Sequence, residues 1–546
     1  MKTFATFLLN LLIAAFSFAD NITVSGIVKD MKTSAVLDSA TVTIVNTQNV
    51  SEQYSVITNT NGAWSYNFTT GVAEGSAVTP SAFELRQNYP NPFNPSTRIG
   101  FSLQRAGTLR IAVYTILGQE LDSKTVTLDA GDHEIDWHSM GAAGALFYTI
   151  EMNGVRQVRK MIQLDGGSGS GLGDIMTARR VVPLSSLSKA TSSDYYIIVS
   201  KFAYMPDTIR MMLANGSFIN STIETVHSRA FVIDLHNDML EQMINGYQIG
   251  IRNPLVGDDQ TDLPRLKDGG VDAQMVSIWT DGDTTASKPY ARCVTIADTF
   301  QAQVNRYSSQ VALAKTSDDI AAVMATGKLA AIYLLEGGHA IENSLAKLQW
   351  FYNLGVRYMT LTWNNSNDWA ISAADSKSTT QGLTDFGKQV IRTMDSLGII
   401  VDVSHVGIKT MADALTVTKN PIIASHSGVR ALNNNTRNLY DDQIRAIAAS
   451  GGVIGVVFYR SFLSSTGKAT IDTVIKHIDY IKNLVGIDYI ALGSDFSGGI
   501  TTPTGLEDVS KYPALTLALL RHGYSIPDVR KILGENYMRV FKKVCK

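Results

Sequence analysis

FVIDLHND (231–238) decides the fold: a short β-branched, apolar run that leads directly into His236 and Asp238, residue types that hold metals. The arrangement recurs along the chain. LAAIYLL (329–335) leads into Glu336, GIIVDVS (398–404) into His405, NPIIAS (420–425) into His426, and DYIALGS (488–494) into Asp495. Runs of this kind read as fully buried parallel strands.

Stretches long enough for a crossover helix separate these runs, among them 343–355, 382–397 and 441–450. Strand, helix, strand repeated is the α/β signature. From residue 228 onward the expected strands are 230–236, 272–278, 329–335, 357–362, 398–404, 420–425, 452–458 and 488–493. About eight is the number that closes a (β/α)8 TIM barrel. The polar residues then cluster at the carboxyl ends of strands one, three, five, six and eight, the face that carries the chemistry in such barrels. Structural histidines would have no reason to choose one end, and three of the chain's nine belong to this set.

Side chains at i and i+2 of a strand point the same way, so His236 and Asp238 can hold one cation from one strand end. An imidazole with a carboxylate suits zinc, and His405, His426 and Glu336 can make a second site in which Glu336, having two oxygens, bridges both. Each residue alone has a plainer reading. His405 or His426 can be a core or loop histidine, and Asp238 a helix N-cap. Five together at equivalent strand ends describe an active site.

Six ordered motifs sharpen this: DLHND (234–238), LLEGGHAIENSLAKLQWFYNLGVRYMTLTW (334–363), VDVSHVG (401–407), SHSGVRALNNNTRNL (425–439), ALGSDFSGG (491–499) and GLEDVSKYP (505–513). Through them 228–546 resembles the membrane (renal) dipeptidase family of zinc peptidases. The resemblance implies a TIM barrel with two zinc ions per chain. His236 and Asp238 would hold one, His405 and His426 the other, with Glu336 bridging and counted as catalytic. It also implies that Asp495 is the acid/base residue and that Arg437 binds the terminal carboxylate of a small peptide. It leaves a homodimer through the barrel open.

The chemistry agrees. Two bridged zinc ions supply a nucleophile from water at neutral pH and polarise the scissile carbonyl. A carboxylate free of metal, Asp495, can carry the proton to the leaving amine, and the planar fork of Arg437 fits a carboxylate. Two positions depart from the family pattern. Trp363 stands where many members carry a histidine that contacts the carbonyl oxygen, and an indole N–H donates but cannot be protonated. Asn364 or Asn365 is the substitute donor, and Trp363, Asn364 and Tyr459 join Arg437 as expected substrate contacts. Ser497 replaces a carboxylate that often follows the eighth strand, an expected change around the ligands and not in them. His339, three residues past Glu336, is a further candidate for such a supporting role.

The remainder of the chain bears on location. Residues 1–19 carry Lys2, an apolar stretch and small residues before Asp20, the pattern of a secretory signal. No later stretch is long and apolar enough to span a membrane, and the end has no lipid-anchor tail. The expected destination is the periplasm, cell surface or exterior. Residues 20–80 alternate in period two as a β-sandwich, similar to carboxypeptidase regulatory-like modules, with 190–225 as the piece that completes it around an insertion. The insertion, 82–165, is similar to type A secretion-sorting and flagellar-hook-cap-like Ig modules; it serves either as a contact for secretion machinery or the cell surface, or as a spacer. Prolines 90, 92 and 95 keep its start extended. GGSGSG (166–171) opens an expected flexible linker, 166–189.

Composition is that of a globular chain, 45% hydrophobic and 18% charged, and a net charge of −2 gives no general attraction to nucleic acid. Two cysteines, Cys293 and Cys545, make no disulfide framework, though Cys545 near the terminus leaves an intermolecular bridge open. The expected class is therefore α/β, a (β/α)8 barrel preceded by small all-β sandwiches. The expected function is a secreted zinc dipeptidase. The alternatives are a metal-dependent amidohydrolase acting on a lactam, an N-acyl amino acid or a D-containing dipeptide, or a degenerate barrel on a surface-binding protein.

Overall fold

Eight parallel strands follow one another around residues 224–546: Ile233–Asp234, Ala273–Trp279, Leu329–Glu336, Tyr358–Thr360, Ile400–Asp402, Ile423–Ser427, Val453–Val456 and Ile490–Leu492. They lie within the expected strands or overrun them by a residue or two. First and last are joined by backbone hydrogen bonds, Leu235 N to Leu492 O at 2.9 Å, Asp495 N to His236 O at 3.1 Å and Asp238 N to Phe496 O at 2.9 Å. The sheet thus closes where the ligand-type residues sit. A three-residue strand, Val311–Leu313, pairs with Leu329–Glu336 off the main path; it is too short for periodicity to reveal.

This computed structural model describes residues 21–47, 53–69, 83–86, 88, 93, 96–103, 105–115, 119–141, 144–152, 155–163, 167–177, 194–257, 259–282 and 288–545. The signal segment 1–19, prolines 90, 92 and 95, and 178–189 of the expected linker lie outside them.

The strand Leu329–Glu336 is buried at every position, and its two faces go to different cores. Ala330, Ile332 and Leu334 fill the barrel interior with Ile233, Met275, Tyr358, Ile400, Ile423, Val453 and Ala491. Ala331, Tyr333 and Leu335 face the helices outside. That double burial is why the run reads as continuously apolar instead of alternating. Parity carries on to the strand end. Glu336 follows Leu334 on the interior side, and Trp279 follows Ala273 and Met275. Helices return the chain between strands: Leu345–Leu354, whose N-cap Ser344 accepts from Lys347 N, and Asp385–Leu397, whose N-cap Thr384 accepts from Gly387 N. Cys545 is buried with its Sγ 3.5 Å from Arg357 O, which corrects the expectation that it is open to an intermolecular bridge.

In the N-terminal unit, Thr41–Asn46 pairs antiparallel with Gln53–Ile57 on one side and with Asp194–Ser200 on the other, Ile44 opposite Ile197. Asp194–Ser200 forms a hairpin with Asp207–Met212, and Ser217–Ile223 lies parallel to Asn21–Asp30. Strands from both ends of the long insertion therefore share sheets. The insertion contributes two four-stranded sheets around Phe101, Ile111, Trp137, Tyr148 and Ile150. One expectation is overturned here. Gly167–Thr177, read as flexible linker, is a strand antiparallel to Gly131–Gly141, with two register shifts and with Leu172 in the sandwich core. Bulges let a glycine-rich segment run along a partner strand, and one buried leucine outweighs the flexible composition.

The pairing makes a checkable prediction. Ile197→Ala, at a fully buried position, costs about 2–5 kcal/mol, whereas Met212→Ala, 61% exposed on the neighbouring strand, stays within about 0.5 kcal/mol. Urea unfolding of both variants measures the difference.

Candidate metal centre

Glu336 stands at the middle of the barrel mouth with one oxygen toward each group of neighbours. Its Oε2 is 3.5 Å from His236 Nε2, and its Oε1 is 3.1 Å from His405 Nε2 and 3.7 Å from His426 Nε2. His236 Nε2 lies 3.5 Å from Asp238 Oδ2 and 4.0 Å from Asp495 Oδ1. Three overlapping triads result: His236, Asp238 and Glu336; Glu336, His405 and His426; His236, His426 and Asp495. Each offers ligand atoms within 4.8 Å of one another.

The ring nitrogens facing away from the cluster explain why the facing ones are available. His236 Nδ1 is 2.9 Å from the Tyr358 hydroxyl, which itself donates to Leu235 O at 2.7 Å and so accepts from the imidazole. His405 Nδ1 donates to Asn364 Oδ1 at 3.0 Å. His426 Nδ1 is 2.8 Å from Ser425 Oγ, which donates to Asp402 Oδ2 at 2.7 Å. With Nδ1 holding one proton, each ring in its neutral form presents an Nε2 lone pair inward.

Those inward atoms fit a metal better than they fit each other. His405 Nε2 and His426 Nε2 face at 3.0 Å, and two lone pairs at that distance repel unless a cation lies beside both. His236 Nε2 and Asp238 Oδ1 are buried without a hydrogen-bond partner. Zinc–ligand bonds of about 2.0–2.2 Å imply ligand–ligand edges of roughly 3.4 Å in a tetrahedron, the range observed. Electrostatics point the same way. Burial opposes charge on His236, yet Glu336 and Asp238 outweigh it and hold its pKa well above the imidazole range. The cluster attracts positive charge. Burial, then Arg437, lowers His405 to about 4, and burial, then His236 and Arg437, holds His426 well below its usual value. Burial raises Asp495 well above the carboxylate range, and Asp238 and Glu336 add to it against His236 and Arg437.

Two buried aspartates hold the strand ends in place. Asp234 Oδ1 accepts from Ser494 N at 2.8 Å and Oδ2 from Ser494 Oγ at 2.6 Å, fixing the residue before Asp495. Asp402 accepts from Ser404 N at 3.1 Å, Ser425 N at 2.8 Å, Ser425 Oγ at 2.7 Å and Thr360 Oγ1 at 2.6 Å, fixing the residues before His405 and His426. His405 and Asp495 themselves have φ of +63° and +66°, a conformation that non-glycine residues hold only when their surroundings impose it. Gly498 lies against the same carboxylates: a Cβ there would come within 2.6 Å of Asp238 Oδ2 and 2.9 Å of Asp495 Oδ1.

The expected substrate contacts fall into two groups. Arg437 is buried, Nη2 donating to His426 Nε2 at 2.9 Å, its guanidinium 5.3 Å over the Phe462 ring. Tyr459 packs on the same Phe462 at 4.7 Å. Trp363 is half-buried with its ring 6.3 Å from His405. The side-chain oxygen of Asn364 is engaged by His405, which places it behind a ligand-type ring. His339 Nε2 is 3.1 Å from Thr280 O, so it ties two strand ends together. Tyr358, Asp402, Ser425 and Phe462 escaped the sequence reading. A signal for one class existed: DLHND and VDVSH each carry an aspartate shortly before the histidine.

A parallel barrel with three histidines and three carboxylates converging at its carboxyl-end mouth is a metallohydrolase architecture. Residues 220–546 match the model of the membrane dipeptidase family, peptidase family M19, and the chain belongs to that family. Solved structures are similar over the same region. A dipeptidase AC of family M19 is 28% identical at a TM-score of 0.54, covering 58% of this chain and 99% of that one. The probable dipeptidase PvdM from Pseudomonas aeruginosa is 25% identical at 0.54, covering 58% and 96%. A metallopeptidase from Rhodobacter sphaeroides, liganded with a phosphinate mimic of the dipeptide L-Ala-D-Ala, is 26% identical at 0.54, covering 58% and 99%. Family and neighbours support a metal-dependent dipeptidase. Residues 87–163 match a secretion system C-terminal sorting domain, which fits an exported protein. Among the described residues no helix is long and apolar enough to cross a membrane.

The strand-end clamp is open to test. Asp402→Ala leaves the hydroxyls and amides of Thr360, Ser404 and Ser425 without their acceptor, and should cost about 3 kcal/mol or more. Asp402→Asn keeps one acceptor oxygen and should cost less. Urea midpoints of the two variants decide it.

Proposed function

We propose that the protein is an exported dipeptidase that hydrolyses the peptide bond of small peptides with two zinc ions per chain. The observation that carries the reading is the set of three Nδ1-anchored imidazoles whose Nε2 atoms converge on Glu336. In it, His236 and Asp238 would hold one ion and His405 and His426 the other, with Glu336 contributing to both. When bound, such a pair supplies a nucleophile from water at neutral pH and polarises the carbonyl.

The protein's own groups do the rest. Asp495 lies 4.0 Å from His236 Nε2, beside the ligand set, and its raised pKa suits a group that takes a proton and returns it to the leaving amine. The Arg437 fork fixes the terminal carboxylate and so selects dipeptides over internal peptide bonds. Phe462 beneath it keeps the guanidinium in plane through cation–π contact, and Tyr459 supports Phe462. Trp363 can donate from its indole N–H but cannot supply a protonatable contact. Secretion machinery or a surface partner would be met by the N-terminal sandwiches. The proposed domain division is that read from the sequence, with Gly167–Thr177 reassigned from the linker to the Ig-like sandwich.

A D-residue at the second position belongs in the substrate panel, because a relative binds a mimic of L-Ala-D-Ala. Purified protein should contain about two zinc ions per chain by elemental analysis and lose dipeptide hydrolysis to a chelator, with return on adding zinc. Zinc-free protein of full activity would end the reading, and one active only on lactams or N-acyl amino acids would move it to the amidohydrolase alternative. Asp238→Ala and His405→Ala should abolish metal-dependent turnover. Asp495→Asn should retain zinc while losing about 10²–10⁴-fold in kcat, and Arg437→Ala should act mainly by raising KM.

A further inference from the structure

Two indoles stand side by side at the barrel mouth. Trp279 ends the second strand in register with Glu336 on the third, and its parity with Ala273 and Met275 turns it to the interior side. Trp363 follows the fourth strand. Their ring centroids are 5.1 Å apart with planes at 66°, and both are half-buried. The edge-to-face contact favours this arrangement of the pair. The backbone around it is fixed as well. His339 Nε2 bonds Thr280 O, next to Trp279, and Gly337, at φ +97°, leaves space that a Cβ would fill 2.4 Å from His339 Cε1 and 3.4 Å from Trp363 Cβ.

Position around the barrel gives the pair a use. In the strand order, Ala273–Trp279 is second and Ile423–Ser427, which leads to Arg437, is sixth. In a closed ring of eight these two are diametrically opposed; Trp363 follows the fourth strand between them, Glu336 is in register with Trp279, and the His405 ring is 6.3 Å from Trp363. A dipeptide whose carboxylate rests on Arg437 must therefore extend its first residue across the ligand cluster toward the two indoles. Resting on the dipeptidase reading above, we propose that Trp279 and Trp363 form the recognition wall for the side chain of the substrate's first residue and select dipeptides that begin with a long apolar or aromatic residue. A large apolar side chain leaving water for such a wall gains roughly tenfold to a hundredfold in kcat/KM over glycine. No protein group moves and no proton is required. Selection is by buried area alone.

The test uses the zinc-loaded full chain and the dipeptides Leu-Ala, Phe-Ala, Ala-Ala, Glu-Ala and Gly-Ala. Wild type should favour Leu-Ala and Phe-Ala over Gly-Ala by at least about tenfold. Trp279→Ala and Trp363→Ala should each bring that ratio to within about threefold, with zinc content unchanged, and Trp279→Phe should restore part of it. Calorimetric Kd values for phosphinate mimics with a leucyl or a glycyl first residue should show the same ratios without turnover. Variants that lower every substrate by one common factor, with the ratio intact, would overturn the wall in favour of a purely structural pair. A wild type that cleaves all five dipeptides equally overturns this proposal alone, whereas one that cleaves none overturns the dipeptidase reading with it.

Discussion

A neutral imidazole has one proton to place, and at His236, His405 and His426 that proton is claimed on Nδ1 by a group outside the cluster. Everything at the mouth follows from that constraint. If Nδ1 of any one ring lost its acceptor, the ring could turn or change tautomer, and its Nε2 would then carry hydrogen toward the carboxylates of the cluster and no longer offer them a shared lone pair. The acceptors are unlike one another: a tyrosine hydroxyl, an amide oxygen and a serine hydroxyl. What they share is that each is itself held. Tyr358 donates to Leu235 O, Ser425 donates to Asp402, and Asn364 follows the fourth strand beside a network in which its backbone oxygen accepts from Ser372 Oγ. The site is thus fixed from behind.

The aspartates extend the same logic to the backbone. Neighbouring strands in a parallel barrel are joined by ladder hydrogen bonds, but four of the regular strands end at Asp234, Thr360, Asp402 and Leu492, before the ligand-type and mouth residues that follow them, and only single backbone hydrogen bonds continue beyond. Beyond those points the chain takes up turns with positive φ at His405 and Asp495. Strain of this kind, about 1–3 kcal/mol at each residue, persists only if the surroundings over-determine it. Asp234 with Ser494, and Asp402 with Ser404 and Ser425, provide that determination with charge-assisted hydrogen bonds to amide and hydroxyl donors. Each aspartate couples its own strand end to another strand end, so the ligand-type residues are positioned in pairs.

Much of this was readable in the sequence. The barrel strands were visible because double burial makes them continuously apolar, and the cluster was visible because its members all follow such runs. The supporting groups were not, for a physical reason. Tyr358, Ser425 and Asp402 lie within the apolar runs themselves, where a polar residue reads as an interruption until the closed ring shows what it faces. Phe462 reads as one more core aromatic until Arg437, 25 positions earlier, is seen above it. The glycine-rich strand Gly167–Thr177 misled in the opposite way. Its composition describes a free chain well, but composition does not register that Leu172 is captured by a core assembled from the strands that precede it.

Charge explains what kind of occupant such a mouth favours. Asp238, Glu336 and Asp495 are buried together, with the Arg437 cation beside them. Burying carboxylates beside each other is costly, and such a cluster has two ways to relieve the cost: take up protons, or accept cations from solution. The first is visible in the raised pKa values of His236, Asp238 and Asp495. The second requires lone pairs that converge at metal-bond spacing, which proton uptake alone would not select. Anchored Nδ1 atoms on three rings make sense only for the second. Arg437 Nη2 donates to His426 Nε2 and its guanidinium rests on the Phe462 ring, so the fork proposed to receive a substrate carboxylate is seated directly against the ligand-type rings, and the two parts of the site are positioned by one another.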